Sequence, residues 1–163
     1  MVLIGMPGSG KSTVGVLLAK AAQRSFLDTD VTIQAKEGRS LQEIIDREGL
    51  DFFRRLEERY ILSLRVSACV IATGGSAVYY PAAMAHLASS GVIIHLDLDL
   101  PSLTKRLPDL HSRGVVRVPG QTLNGLFEER KPLYQKYARV TVPCAGHTHE
   151  QIVNVILAEL EKL

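Results

Sequence analysis

Several things are scarce in this chain of 163 residues, and each scarcity closes a door. No apolar run is long enough to cross a bilayer, so a membrane-spanning protein is not expected. There are two cysteines, Cys69 and Cys144, too few for a disulfide framework. The leading MVLIGM is short and lacks the basic residues of a secretory leader. Together these favour a cytoplasmic setting. The net charge is only +2, with no basic stripe, so nucleic acid is not an expected partner. The five histidines, among them His95, His111 and His147, show no metal-ligand spacing. Repeats and low-complexity segments are absent.

What remains is ordinary for a globular protein: 46% hydrophobic and 22% charged residues, enough to bury a real core as a single domain over residues 1–163. Strand-like runs alternate with helical stretches. VLIG at the start, SFLDTD (25–30), CVIAT (69–73), GVIIHLDL (91–98) and RVTVP (139–143) read as five strands. Between them, Val14, Leu17, Leu18 and Ala21 form one helical face, and Phe52, Phe53, Leu56, Tyr60 and Leu64 another. Ser40 with Glu43 and Thr148 with Gln151 read as capping boxes, Gly49 as a helix stop, and Pro81 and Pro101 as first helical residues. Alternation of this kind implies an α/β fold: a parallel sheet with helices on both faces.

Directly after the first strand comes GMPGSGKST, residues 5–13. Gly5, Gly10, Lys11 and Ser12 complete the pattern Gly-x-x-x-x-Gly-Lys-Ser of a phosphate-binding loop. Gly8 and Gly10 allow backbone that turns amide N–H groups toward phosphate oxygens. Lys11 reaches the β- and γ-phosphates, Ser12 ligates Mg²⁺, and the following helix adds its N-terminal dipole. The phosphoryl group then goes either to water or to a hydroxyl. A guanine-reading Asn-Lys-x-Asp is missing, and DREG (46–49) sits at a helix end rather than after a strand. The body is small for a motor, and CVIATGG carries no acidic strand end.

Other stretches point to a small acceptor pocket. Asp28 and Asp30 in LDTD follow the second strand, at the sheet end where α/β folds bind ligands. Asp28 is placed to hold water around Mg²⁺, and Asp30 to orient or deprotonate an acceptor hydroxyl. Arg54 and Glu57 in FFRRLE share a helical face, so Arg54 can bind an anionic acceptor with Glu57 steadying it; a surface ion pair is the alternative. Gly74 and Gly75 in TGGSAV permit close backbone approach. Arg130 in ERKPLY offers a second guanidinium. The long stretch 108–122, with Arg113 and Arg117, reads as a lid closing over phosphate, or else as a solvated loop.

In order, the glycine loop, LDTD, FRRLE, ATGG, the lid arginine and ERKPLYQKYA resemble the shikimate kinase family over nearly the whole chain. That resemblance implies a nucleoside monophosphate kinase-like P-loop fold with a five-stranded parallel sheet and a lid. It implies transfer of the γ-phosphoryl of ATP to the 3-hydroxyl of shikimate, with ATP and Mg²⁺ as cofactors. Gly8, Ser9, Gly10, Lys11, Ser12, Thr13, Arg106, Arg113 and His147 would bind nucleotide, and Ser12 and Asp28 the metal. Asp30, Arg54, Gly74, Gly75, Ser76 and Arg130 would hold the acceptor, with Lys11, Asp30 and Arg113 catalytic. CAGHT (144–148) matches the loop over the base. The only expected partner is the small-molecule acceptor, and the expected state is a monomer. Three departures are visible: Ser76 replaces a third glycine, Arg113-Gly114-Val115-Val116 replaces Arg-Pro-Leu-Leu, and Ala145-Gly146-His147 lacks an arginine. They motivate one alternative, a related kinase acting on a different small hydroxy acid or polyol. A non-catalytic nucleotide-binding module is disfavoured by the complete Lys11, Ser12 and Asp30 set.

Overall fold

The computed structural model describes residues 1–107, 115–118 and 120–163. Five strands form one sheet: β1 (Val2–Ile4), β2 (Ser25–Asp28), β3 (Cys69–Ala72), β4 (Ile93–Asp97) and β5 (Val140–Pro143), in the order β2-β3-β1-β4-β5. Every neighbouring pair is parallel, and Val2 is in register with Ile71 on one side and Ile93 on the other. The central strands are buried on both faces, which is why VLI, CVIA and II are unbroken apolar runs. The edge strand β5 instead alternates, with Val140 and Val142 buried and Thr141 and Pro143 exposed. Pro143 costs no ladder bond on an edge.

The helices are α1 (Lys11–Ala21), α2 (Thr29–Glu37), α3 (Leu41–Glu48), α4 (Leu50–Ser63), α5 (Pro81–Ser90), α6 (Leu100–Arg106), α7 (Leu123–Tyr137) and α8 (His149–Leu160). Both capping boxes form: Ser40 with Glu43 opens α3, and Thr148 with Gln151 opens α8. Gly49 ends α3, Pro81 opens α5, and Pro101 takes the second position of α6. Among the described residues, no helix is long and apolar enough to cross a membrane.

Three local expectations shift. SFLDTD is strand only to Asp28, whose carboxylate caps α2 by accepting from the amides of Asp30 (2.9 Å) and Val31 (3.2 Å). Asp30 therefore sits in the first turn of a helix, where its direction is set by the helix rather than by a loop. In α1, Ala21 is exposed; the face that meets the sheet is Val14, Gly15, Leu18 and Ala19, with Gly15 pressed against the ring of Phe26. In α4, Leu64 lies at the cap and the buried face is Phe53, Leu56, Glu57 and Ile61. A carboxylate has taken a core position.

Most buried side chains form one cluster on both faces of the sheet. A second, smaller one joins Ile33, Leu41, Ile44, Phe53 and Leu56 of α2, α3 and α4 with Val116. The carboxyl ends of β2, β3 and β1 lie side by side. They deliver the turn at Asp28, the stretch Thr73–Ser76 and the glycine loop to one edge of the sheet.

The α1 face makes a direct test. Leu18→Ala removes a fully buried side chain and should cost about 2–5 kcal/mol. Val16→Ala, on the 52% exposed side of the same helix, should stay within about 0.5 kcal/mol of the parent. Urea denaturation of both variants checks the assignment.

Candidate active site

At that sheet edge lies a cleft of about 650 Å³, lined among others by Gly8, Gly10, Lys11, Ser12, Thr13, Asp30, Gly74, Gly75, Ser76, Arg106 and Arg130. One wall is the glycine loop. Gly8 and Gly10 have φ of 77° and 97°, in the left-handed region that the turn requires. Lys11 is folded back on the loop, its Nζ donating to the carbonyls of Gly5 (2.9 Å) and Met6 (2.8 Å). Burial pushes its pKa down to about 8, against the pull of Asp30 and Asp28. Ser12 Oγ donates to Asp28 Oδ2 at 2.6 Å. That pair of hard oxygen donors suits a magnesium ion held partly by phosphate. Ser9 is fully buried in the loop and its Oγ has no hydrogen-bond partner among the described residues.

The far wall is built on charge. Asp30 is pushed up to about 7, first by burial, then by Glu57 and Asp28, with Lys11 opposing. Glu57 is fully buried: Oε2 accepts from Ser76 Oγ (2.6 Å) and Tyr80 OH (2.8 Å), and Oε1 has no hydrogen-bond partner among the described residues. Arg130 is also fully buried. Its Nε donates to Tyr79 OH (3.1 Å) and its Nη2 to the Val116 carbonyl, and its Nη1 has no hydrogen-bond partner among the described residues. Between these walls Gly74 and Gly75 form the floor. A side chain at Gly74 would collide with Glu57 Oε1 and stand 2.7 Å from Asp30 Oδ1; one at Gly75 would stand 2.9 Å from Arg130 Nη1. The Gly74 amide already donates to Thr29 Oγ1 (3.0 Å), so this glycine serves the cleft by lacking a side chain. Tyr134 braces the floor from below, donating to the Gly75 carbonyl at 2.7 Å and stacking on His95 at 5.0 Å. His95 is thus core, and burial pushes its pKa down to about 4.

Two sequence-based placements change. Glu57 does not steady Arg54, nor do they pair on the surface: the ion partner of Arg54 is Asp51 at 3.5 Å, while Glu57 turns inward to Ser76. Arg54 stands outside the cleft lining, 6.0 Å from the ring centre of Tyr79, with its Nε buried and without a hydrogen-bond partner among the described residues. His147 is exposed, near the Ala145 carbonyl (3.0 Å), and does not line the cleft. His149 does: its Nε2 and Arg106 Nη1 stand over Gly10, 3.4 and 3.8 Å from where a side chain there would begin. Arg106 also donates to the Gly8 carbonyl at 3.3 Å. Arg113 and the first part of the lid, 108–114, lie outside the described residues, as does 119. Val115 and Val116 beyond them are buried in the cleft wall. Sequence reasoning missed His149, Tyr79, Tyr80 and Thr29. The cap at Thr148 was a usable signal for His149, since it fixes the next residue at a helix start; nothing local marked Tyr79.

A family model described as shikimate kinase matches residues 7–161. The chain belongs to the shikimate kinase family. Curated relatives include the shikimate kinases of Synechococcus sp. (41% identical, spanning all of this chain and 85% of the relative) and Thiobacillus denitrificans (36%, all of this chain and 91% of the relative). Among solved structures, the shikimate kinase of Acinetobacter baumannii in complex with shikimate matches with a TM-score of 0.89 at 30% identity, over 99% of this chain and 92% of that one. The Aquifex aeolicus enzyme matches with 0.86 at 34%, over 98% and 95%. The activity is therefore that of an ATP-dependent shikimate kinase, on a P-loop fold of the nucleoside monophosphate kinase type.

The buried carboxylate gives a pH signature. Burial holds the Glu57 pKa above the ordinary value, so the folded chain keeps this proton more tightly than the unfolded one. The stability it contributes is complete below the ordinary glutamate value and is lost as pH rises through the raised one. Glu57→Gln cannot ionise, so its melting temperature should gain on the parent's as pH rises from about 5 to about 8. Parallel melting curves would mean that Glu57 keeps an ordinary pKa.

Proposed function

We propose that this cleft moves the γ-phosphoryl of ATP to the 3-hydroxyl of shikimate, with Asp30 as base and Arg130 and Arg54 as the seat of the acceptor's carboxylate. The observation carrying this is a pair of buried polar atoms at one floor with no partner among the described residues: Glu57 Oε1 beside Gly74 and Arg130 Nη1 beside Gly75. A molecule bearing both an anion and hydroxyls satisfies both, and a cost of roughly 1–3 kcal/mol per orphaned group is removed when it binds. Shikimate, present in the Acinetobacter relative, has that chemistry.

In this reading Lys11 exchanges its loop carbonyls for the β- and γ-phosphates, and the amides of residues 8–13 cradle them. Ser12 and Asp28 would hold Mg²⁺, which supplies charge neutralisation across the phosphates. Arg106 and His149 flank the loop on the nucleotide side. Asp30, raised to about 7, is matched to taking a proton at neutral pH. It accepts the hydrogen bond of the attacking hydroxyl and takes its proton as the new O–P bond forms and the bond to the leaving ADP oxygen breaks. Little covalent chemistry falls to the protein; most of the work is alignment and charge. Two buried free cysteines suit a cytoplasmic setting.

Incubation with ATP, Mg²⁺ and shikimate should give a phosphorylated product by mass spectrometry. If shikimate is untouched while another hydroxy acid reacts, the acceptor assignment fails. Asp30→Asn should lower turnover by about 10²-fold or more while ADP binding persists. Arg130→Ala should weaken acceptor binding by roughly ten- to a hundredfold with ADP affinity unchanged, because a hydrogen bond to a charged group contributes about 1.5–3 kcal/mol. Calorimetric titrations with shikimate and with ADP separate the two effects; equal loss of ADP binding in Asp30→Asn would remove it from the acceptor side.

A further inference from the structure

The 3-10 turn Ala77–Tyr79 follows Ser76 and places a tyrosine ring within reach of both arginines, Arg130 and Arg54. The centre of the Tyr79 ring is 5.1 Å from the Arg130 guanidinium carbon and 6.0 Å from that of Arg54. Its hydroxyl accepts from Arg130 Nε at 3.1 Å and donates to Glu129 Oε1 at 2.6 Å. Glu129 Oε2 in turn accepts from Gln121 Nε2 at 2.5 Å. Gln121 reaches the segment beyond the lid: its Oε1 accepts from the Val118 amide (3.2 Å) and its carbonyl from Arg117 Nη1 (2.9 Å). Two residues before Val118, the Val116 carbonyl accepts from Arg130 Nη2, and the circuit closes.

We propose that Tyr79 is a positioning residue for the acceptor's carboxylate, setting the direction of Arg130 and the approach of Arg54. This rests on the reading that those two arginines receive the carboxylate. A guanidinium has five N–H groups in a rigid fork. With Nε spent on Tyr79 and Nη2 on Val116, Nη1 is the edge left toward Gly75 and the cleft. The negative ring face lets two like charges share one support, and Glu129 beneath the hydroxyl adds an opposite charge. The tyrosine thereby holds two cations in place before an anion arrives. Such preorganisation appears as acceptor affinity rather than as rate, because Tyr79 acts through the two arginines and not on the reacting atoms.

Steady-state kinetics on the full chain test this with four variants. Tyr79→Phe keeps the ring and removes the hydroxyl; the shikimate KM should rise about three- to tenfold, with kcat and the ATP KM within about twofold. Tyr79→Leu removes the ring as well, and the shikimate KM should rise further, by about ten- to a hundredfold. Glu129→Gln removes the opposite charge but retains an acceptor for the tyrosine hydroxyl, so the shikimate KM should rise less than in Tyr79→Leu; a larger rise overturns the inference. Arg130→Ala is the reference. If it raises the shikimate KM but Tyr79→Phe and Tyr79→Leu do not, the inference is overturned and the carboxylate reading stands. If Arg130→Ala also leaves the shikimate KM unchanged, the carboxylate reading fails and the inference falls with it. If the Tyr79 variants lower kcat and shift both KM values alike, with a fall in melting temperature, the residue is merely structural and the inference is overturned.

Discussion

Ionised groups taken out of water must be answered by charge and hydrogen bonds, or they cost several kcal/mol each. This chain buries Lys11, Glu57 and Arg130 around a single cleft, and the rest of the architecture follows from keeping them there. Lys11 is answered by two loop carbonyls, Glu57 by two hydroxyls, and Arg130 by a phenol and a carbonyl. The partners come from three places: the glycine loop, the turn Ser76–Tyr80 and Val116. The sheet order β2-β3-β1 brings the three loops together, and α4 and α7 deliver the opposed charges. Among the described residues the cluster is thus incompletely answered, with Glu57 Oε1 and Arg130 Nη1 left over at the glycine floor.

The elements were legible because their signals are local. Capping boxes at Ser40 and Thr148, and unbroken apolar strands beside a glycine loop, each encode structure within a few residues. The glycine loop likewise carries its chemistry in eight consecutive letters. The wall that carries Glu57 and Arg130 was legible in outline only. Arg130 could be marked as a guanidinium on a helix, but not as fully enclosed, since its enclosure comes from Tyr79 and Val116, distant in sequence. Glu57 was misjudged for the same reason. An arginine three residues before a glutamate on a helix reads as an ion pair, yet the tertiary hydroxyls of Ser76 and Tyr80 outbid it. His147 and His149 stand on either side of the helix cap Thr148, and only the backbone decides which of them turns inward.

Ser76 stands where the family usually has a third glycine, and its hydroxyl has a clear occupation in this chain. It donates to Glu57 Oε2 and, with Tyr80, leaves Oε1 toward the floor of the cleft. The serine therefore adds a tether to the carboxylate and sets its orientation.

The collision geometry at Gly74 has an evolutionary consequence. Oxygens from two helices, Glu57 on α4 and Asp30 on α2, converge on the place a side chain would occupy, so any larger residue here must displace a carboxylate. Drift in acceptor preference is therefore costly at the floor. The Val115–Val116 pair also lines the cleft, and a substitution there alters shape while the Ser76 tether on Glu57 stays in place. Paralogues with new acceptors should therefore keep the glycine and diverge first at those two neighbours.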